Sequence, residues 1–191
     1  MADAAIQLPS LAPPLVAGAA LPDAPELVIR ETPLASLVQV AWWPGRRGAT
    51  SASFEAAGLP GLPGPGRSTE RAETTTLDAG PGRALMMGDA SLPGRLGQAL
   101  NAHDGTATDL THSRIRFTLE GRRARAVLAK GTSVDLRPHA FDPGTVAWTT
   151  IHTMGVVVRC READTFDVLV YRGFARAFAE WLTIAALPDG L

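Results

Sequence analysis

The segment Asp109–Ser113, DLTHS, puts a carboxylate, two hydroxyls and an imidazole within five residues, the ingredients of proton transfer. Successive residues of a strand point to opposite faces, so these groups cannot all converge on one substrate. Capping of a strand end and its turn is the better reading. The other histidines are His103, His139 and His152. None of the four forms an H-x-H or H-x-x-x-H pair, and no Asp/Glu/His cluster has ligand spacing, so no metal site is expected. Cys160 is the only cysteine, which excludes an internal disulfide and a thiolate zinc site. Its setting, MGVVVRC, suits a small apolar thiol packed in a strand. Asp135, in SVDLRPHAF, is a lone carboxylate expected to accept hydrogen bonds from nearby backbone amides. GPGR at Gly80 and GLPGPG at Gly61 lack the strand-to-helix setting of a dinucleotide loop, and their prolines remove amide donors. No catalytic, cofactor-binding or metal-ligating residue is therefore expected.

The strongest signal outside packing is basic. Arg114, Arg116, Arg122, Arg123, Arg125 and Lys130 lie within seventeen residues, against only Glu120. A solvated face is the default for such a run. The functional alternative is contact with an acidic partner surface, and these six residues are the interface candidates. Nucleic acid is disfavoured, because no aromatic side chains interleave the arginines for base stacking.

Elements to carry these residues can be read from periodicity. Strands are expected at 27–31, 37–43, 72–77, 83–88, 105–111, 114–119, 145–152, 154–160 and 165–171. In the second of these Val38, Val40 and Trp42 share a face. Ile115, Phe117 and Leu119 alternate with Arg114, Arg116 and Thr118, the pattern of a half-buried strand. Val156, Val157 and Val158 in succession predict a strand covered on both faces. Helices are expected at 51–57, from Pro93 toward His103, at 122–129 and at 174–186. The third exposes Arg122, Arg123 and Arg125. The last aligns Phe174, Phe178 and Leu182, with Trp181 and Ala185 beside them. Between the first two helices GLPGLPGPG, 58–66, reads as a stiff surface connection. Two rough halves, about 27–103 and 105–186, predict an α+β fold of two ferredoxin-like half-repeats with a mixed, largely antiparallel sheet.

With 191 residues, 46% hydrophobic and 19% charged, the chain is globular in composition. Its formal net charge of -1 gives no bulk reason to bind nucleic acid or membrane. Residues 1–110 carry 11 acids and 7 bases and the remainder 8 acids and 11 bases, so the charge is uneven, -4 against +3. No Lys or Arg precedes Arg30, and Pro9, Pro13 and Pro14 break the early apolar run, unlike a secretory signal. Residues 1–25 are therefore expected to be a mobile tail ahead of a single domain at 26–187. No stretch approaches the ~20 apolar residues of a membrane span, and a cytoplasmic location is expected.

At GRRARAVLAKG, Asp135–Leu136, AFDPG (140–144), WTTIHT, VVVRCREADTFDVLVYR and the closing GFARAFAEWL, the chain resembles the gamma subunits of heterotetrameric sarcosine oxidases. The likeness continues more loosely through RETPLASL and RALMMG and covers about residues 26–187. The same pattern is similar to part of the glycine-cleavage aminomethyltransferase superfamily, implying a truncated form of that folate-binding fold. The resemblance implies a non-catalytic subunit of a bacterial enzyme that oxidatively demethylates sarcosine to glycine, passing the one-carbon unit to tetrahydrofolate. It places FAD, FMN, NAD and tetrahydrofolate in partner subunits. The partners it implies are the alpha, beta and delta chains, chiefly alpha, which this chain would brace. The alternatives are a stand-alone folate-binding or aminomethyltransferase-like protein, or a gamma-like subunit of a complex acting on another N-methyl amino acid.

Overall fold

The structure, a computed structural model, describes residues 15–21 and 24–187. Eleven strands lie among them: β1 Leu15–Leu21, β2 Ala24–Thr32, β3 Ser36–Trp42, β4 Ser68–Arg71, β5 Thr74–Asp78, β6 Arg83–Gly88, β7 Gly105–Asp109, β8 Arg114–Glu120, β9 Val146–Ile151, β10 Met154–Glu162 and β11 Thr165–Tyr171. Four α-helices accompany them: α1 Arg47–Ala56, α2 Leu92–Ala99, α3 Ala124–Ala129 and α4 Ala175–Ala185. The strands form one sheet in the order β1-β2-β8-β11-β10-β9 and a second in the order β4-β5-β6-β3-β7. Every ladder between them is antiparallel. The α+β class expected from the pattern is therefore present.

Alternation along the strands dictates the layers. Ile115, Phe117 and Leu119 of β8, Phe166, Val168 and Val170 of β11, and Val156 and Val158 of β10 share a face. They pack against Val127 and Leu128 of α3 and Phe178 and Leu182 of α4. On the other sheet Val38, Val40, Ala84 and Met86 pack against Phe54 of α1 and Leu92 and Leu96 of α2. The opposite faces meet each other: Leu37, Leu77, Leu85 and Met87 pack on Val146, Val157 and Leu169. The order is helices, sheet, sheet, helices. The three valines of β10 are indeed covered on both faces, Val157 by the second sheet and its neighbours by α4 and α3.

Several expectations need correction. The halves at 27–103 and 105–186 exchange strands, because β2 joins the later sheet beside β8 while β7 joins the earlier one beside β3. The strand expected at 72–77 is present as β5, but it pairs with an unexpected β4 in a hairpin turned at Ala72, whose φ of +52° nothing in an alanine announces. The 58–66 connection is not superficial, since Leu59, Pro60, Leu62 and Pro63 are buried and the leucines join the α1–α2 cluster. Phe174 ends a 3-10 turn and is half exposed, so Ala175 and Ala179 occupy the buried stripe of α4 instead. Of the tail expected over 1–25, residues 1–14, 22 and 23 lie outside the described residues. Leu15–Leu21 pair with β2 as an edge strand, a backbone interaction that composition does not signal.

Two glycines explain the GRRARAVLAKG segment. Gly121 takes φ +114°, and a Cβ there would overlap the Glu26 carbonyl oxygen. A Cβ on Gly131 would lie 2.5 Å from Trp181 Cζ2 and 2.7 Å from Ile151 Cγ2. The two positions let α3 sit close under β2 and α4.

Candidate interaction surfaces

The six basic candidates do not share one face. Arg122 is exposed and paired with Glu26. Arg123 reaches along α3 to the Ala186 carbonyl, 3.0 Å, and Lys130 donates to the Ala185 carbonyl, 3.0 Å. These two satisfy carbonyls at the C-terminal end of α4, where cations are favoured. Arg125 donates to the carbonyls of Leu136, Phe141 and Ala163 and lies over the Phe166 ring at 4.9 Å. It holds the 136–141 loop and the β10–β11 turn to α3. Arg114 and Arg116 stand on the opposite side of the sheet, facing the second sheet.

Arg116 donates to the Pro33 carbonyl at 2.7 Å. Burial pushes its pKa down, while the Asp167 carboxylate works the other way. It borders a cleft of about 260 Å3 shared with Glu73, Asp89 and residues 33–35. Arg114 is 5% exposed, with its guanidinium carbon 3.9 Å from the Tyr171 ring centroid and 5.2 Å from that of Trp148. Burial lowers its pKa, and the influence that opposes this comes from Tyr171. Trp148 and Tyr171 are themselves 44% and 47% exposed. With Thr149, Gly155 and Val156 they line an open pocket of about 310 Å3. Trp148 also donates from Nε1 to the Asp78 carbonyl of β5, 2.7 Å, tying the sheets together at this end.

A larger groove, about 490 Å3, runs beside α3 between Arg122, Arg125, Ala126, Ala129, Val134 and Leu136. Its small side chains and apolar loop leave a shallow hydrophobic floor with an arginine rim. Phe174, at the start of α4, and Ile184 and Leu187, at its C-terminal end, are 49%, 68% and 49% exposed. Exposed large apolar side chains such as Ile184 and Leu187 make that C-terminal end a candidate interaction surface.

The single-residue candidates are local in their bonding. Asp109 Oδ1 accepts from the Thr111 amide, 2.8 Å, and hydroxyl, 2.6 Å, bonds that lower its pKa. DLTHS thus caps the end of β7. Asp135 accepts from the Arg137 amide and pairs with its guanidinium at 2.6 Å, which holds the carboxyl well below its ordinary range. His103, His112, His139 and His152 are exposed and scattered. Cys160 is buried, its thiol pushed up by that burial. Among the described residues no three His, Cys, Asp or Glu side chains gather as a metal site would require.

The chain matches a known family. Its model, described as the sarcosine oxidase, gamma subunit family, matches residues 86–187, just over half of the chain. This chain belongs to the sarcosine oxidase gamma subunit family. A chain of heterotetrameric sarcosine oxidase from Corynebacterium sp. U-96, solved with pyrrole 2-carboxylate, is 23% identical to it with a TM-score of 0.77. The match covers 86% of this chain and 88% of that one. The glycine cleavage system aminomethyltransferase T from Bartonella henselae is 18% identical, with a TM-score of 0.55. Here 79% of this chain corresponds to 46% of that one, so the chain spans under half of the aminomethyltransferase. A search of the curated proteins by sequence finds no match.

Within the region matched by the gamma subunit family, AFDPG has a clear structural task. Asp142 pairs with Arg67 at 2.6 Å and accepts from Thr145 Oγ1 at 2.6 Å. Those bonds, that to Arg67 first, push its carboxyl down to about 2. Arg67 also donates to the Pro143 carbonyl, 3.0 Å, and Gly144 turns there at φ +87°. The motif therefore clamps the approach to β4 against the start of β9, across the two sheets.

Sequence reasoning missed one network on the inter-sheet face. Asp167 is 1% exposed, accepts from Thr118 Oγ1 at 3.0 Å, and faces Arg159 at 3.6 Å and Arg161 at 3.9 Å. Arg159 in turn pairs with Glu70 and donates to Ser68 Oγ at 3.2 Å, both on β4. Burial raises the Glu70 pKa, but the bond to Arg159 and its charge bring it below the ordinary value. A register argument could have found the pair, since the β10–β11 hairpin sets Arg159 directly opposite Asp167.

Proposed function

We propose that this chain is a non-catalytic gamma-type subunit of a four-subunit sarcosine oxidase-type enzyme, bracing the alpha subunit. The observation that carries the reading is the family match over residues 86–187, on which the exposed surfaces fall. The groove beside α3, with Arg122 and Arg125 on its rim, and the exposed apolar side chains flanking α4, Phe174 at its start and Ile184 and Leu187 at its end, offer contact area. The aromatic pocket around Arg114 offers another. Arg116, Arg123 and Lys130 contribute by shaping these surfaces from beneath. The strand exchange between the halves supports treating residues 26–187 as one unit.

The holoenzyme would oxidatively demethylate sarcosine, or a related N-methyl amino acid, with the one-carbon unit passed to tetrahydrofolate. FAD, FMN, NAD and the folate would sit in the partner alpha, beta and delta chains. None of the described helices is long and apolar enough to cross a membrane. Affinity capture of the tagged chain from its native cell, followed by an absorbance spectrum, tests the reading. The expected result is a yellow complex with two larger chains and one smaller one. A colourless chain recovered alone overturns it, and titration with tetrahydrofolate then tests a stand-alone folate-binding role.

A further inference from the structure

Arg114 is a buried cation. Among the described residues no carboxylate comes within ion-pair distance of it, and its Nε makes no hydrogen bond. Elsewhere on the same face Arg159 has Glu70 and Asp167, and beyond it Arg125 has three carbonyls. Arg114 is held instead by Tyr171, through its ring at 3.9 Å and a side-chain hydrogen bond, and by the Trp148 ring at 5.2 Å. Stacking uses the two faces of a guanidinium. Its N–H donors lie in the plane, the geometry that matches a carboxylate. A desolvated charge left without a partner is costly, so an incoming anion finds much of the desolvation already done.

The pocket in front of Arg114 has the composition of an interface anchor. Trp, Tyr and Arg dominate binding hot spots, and here one of each forms the walls, with both rings nearly half exposed. A small free anion would leave those rings wet, whereas a polypeptide would cover them. Gly155 keeps the floor open. A Cβ there would meet nothing nearer than Tyr171 Cε2 at 4.0 Å, so a larger side chain would enter the pocket without disturbing the strand.

We infer that this pocket receives an aspartate or glutamate side chain from a partner polypeptide, which pairs with the edge of the Arg114 guanidinium between Trp148 and Tyr171. Its setting within an oxidase complex rests on the subunit reading above.

The test uses the full chain co-expressed with its partner subunits. Arg114→Gln removes the charge, and Gly155→Val fills the pocket while leaving Arg114 in place. Each is expected to weaken association at least about thirtyfold, the scale of a hot-spot loss, with the thermal midpoint of the chain unchanged. Arg114→Lys then supplies an amine for carbodiimide coupling. Mass spectrometry should find an amide between position 114 and an Asp or Glu of another chain. Association unchanged in both Arg114→Gln and Gly155→Val overturns the inference, as does coupling confined to this chain. If the wild-type chain captures flavin subunits and both variants do so equally, this inference alone fails. If position 114 couples to a protein outside any flavin complex, the inference stands and the subunit reading falls.

Discussion

Arg114 and Arg159 stand on the same face of the same sheet, both turned toward the second sheet and nearly equally buried at 5% and 4% exposure. Arg159 is closed within the chain. It faces Asp167 across the β10–β11 ladder and reaches Glu70 and Ser68 on β4. Arg114, at the far end of the same inter-sheet layer, meets the Trp148 ring, the ring and a hydrogen bond of Tyr171, and an open pocket, with no carboxylate in ion-pair distance among the described residues. One end of the layer is self-sufficient and holds the sheets together. The other is unfinished, and its missing element is an anion.

The largest expected effect comes from opening the closed end. Arg159→Leu leaves the Asp167 carboxylate buried with Arg161 at 3.9 Å as its nearest cation, and should cost about 3–5 kcal/mol in denaturant unfolding. Adding Asp167→Leu should restore most of that loss, because a pair replaced by apolar side chains is often neutral. If the single and double variants are equally unstable, the network is not what joins the sheets.

The same experiment at the open end should give the opposite result. Arg114→Leu removes a cation–π stack worth about 1 kcal/mol but also an uncompensated buried charge. Unfolding of the isolated chain should change by no more than about 1 kcal/mol in either direction, while assembly with partners is lost. A loss comparable to that of Arg159→Leu would erase the distinction between the ends.

Trp148→Phe sharpens the comparison further. It keeps a ring beside Arg114 but removes the bond to the Asp78 carbonyl. The expected cost is about 1 kcal/mol by thermal unfolding, the net worth of one hydrogen bond. Partner association should persist, since the ring remains.

Most elements were legible in the chain because each has a period that one face enforces. Phe117 alternates with Arg116, and Phe178 and Leu182 recur at four, so strand and helix follow. What covers a face is a different matter. Alternation placed Arg114, Arg116 and Thr118 together on the polar side of β8, but it could not reveal that a second sheet lies over that side. A run of six bases therefore looked like one surface. In the structure it divides between carbonyl-capping residues under α4, a rim beside α3, and a buried inter-sheet layer. The strand exchange was hidden for a similar reason, because edge partners are chosen by backbone pairing between β2 and β8 that no side-chain pattern encodes. The Arg159–Asp167 pair was within reach, since a hairpin turn fixes which residues oppose each other.

The smallest effect belongs to the exposed counterpart of these buried pairs, Arg67 and Asp142, which also bridges the sheets. Its carboxyl is pushed down to about 2, chiefly by the bond to Arg67, while an unfolded aspartate titrates near ~3.9. The folded pKa is the lower one, so the pair contributes stability above the unfolded value. That contribution fades as the pH falls from about 4 toward 2, where the unfolded chain takes up the proton first. Asp142→Asn should therefore flatten the acid side of a plot of thermal midpoint against pH in that window. Some slope remains, because Asp135 and Asp109 are also held below their ordinary values by local bonds. Being solvent-exposed, the pair should also weaken with added salt, whereas the Arg159–Asp167 pair should not. Equal salt sensitivity of the two would mean that the inter-sheet layer is open to water along its whole length, and that Arg114 differs from Arg159 only in its neighbours.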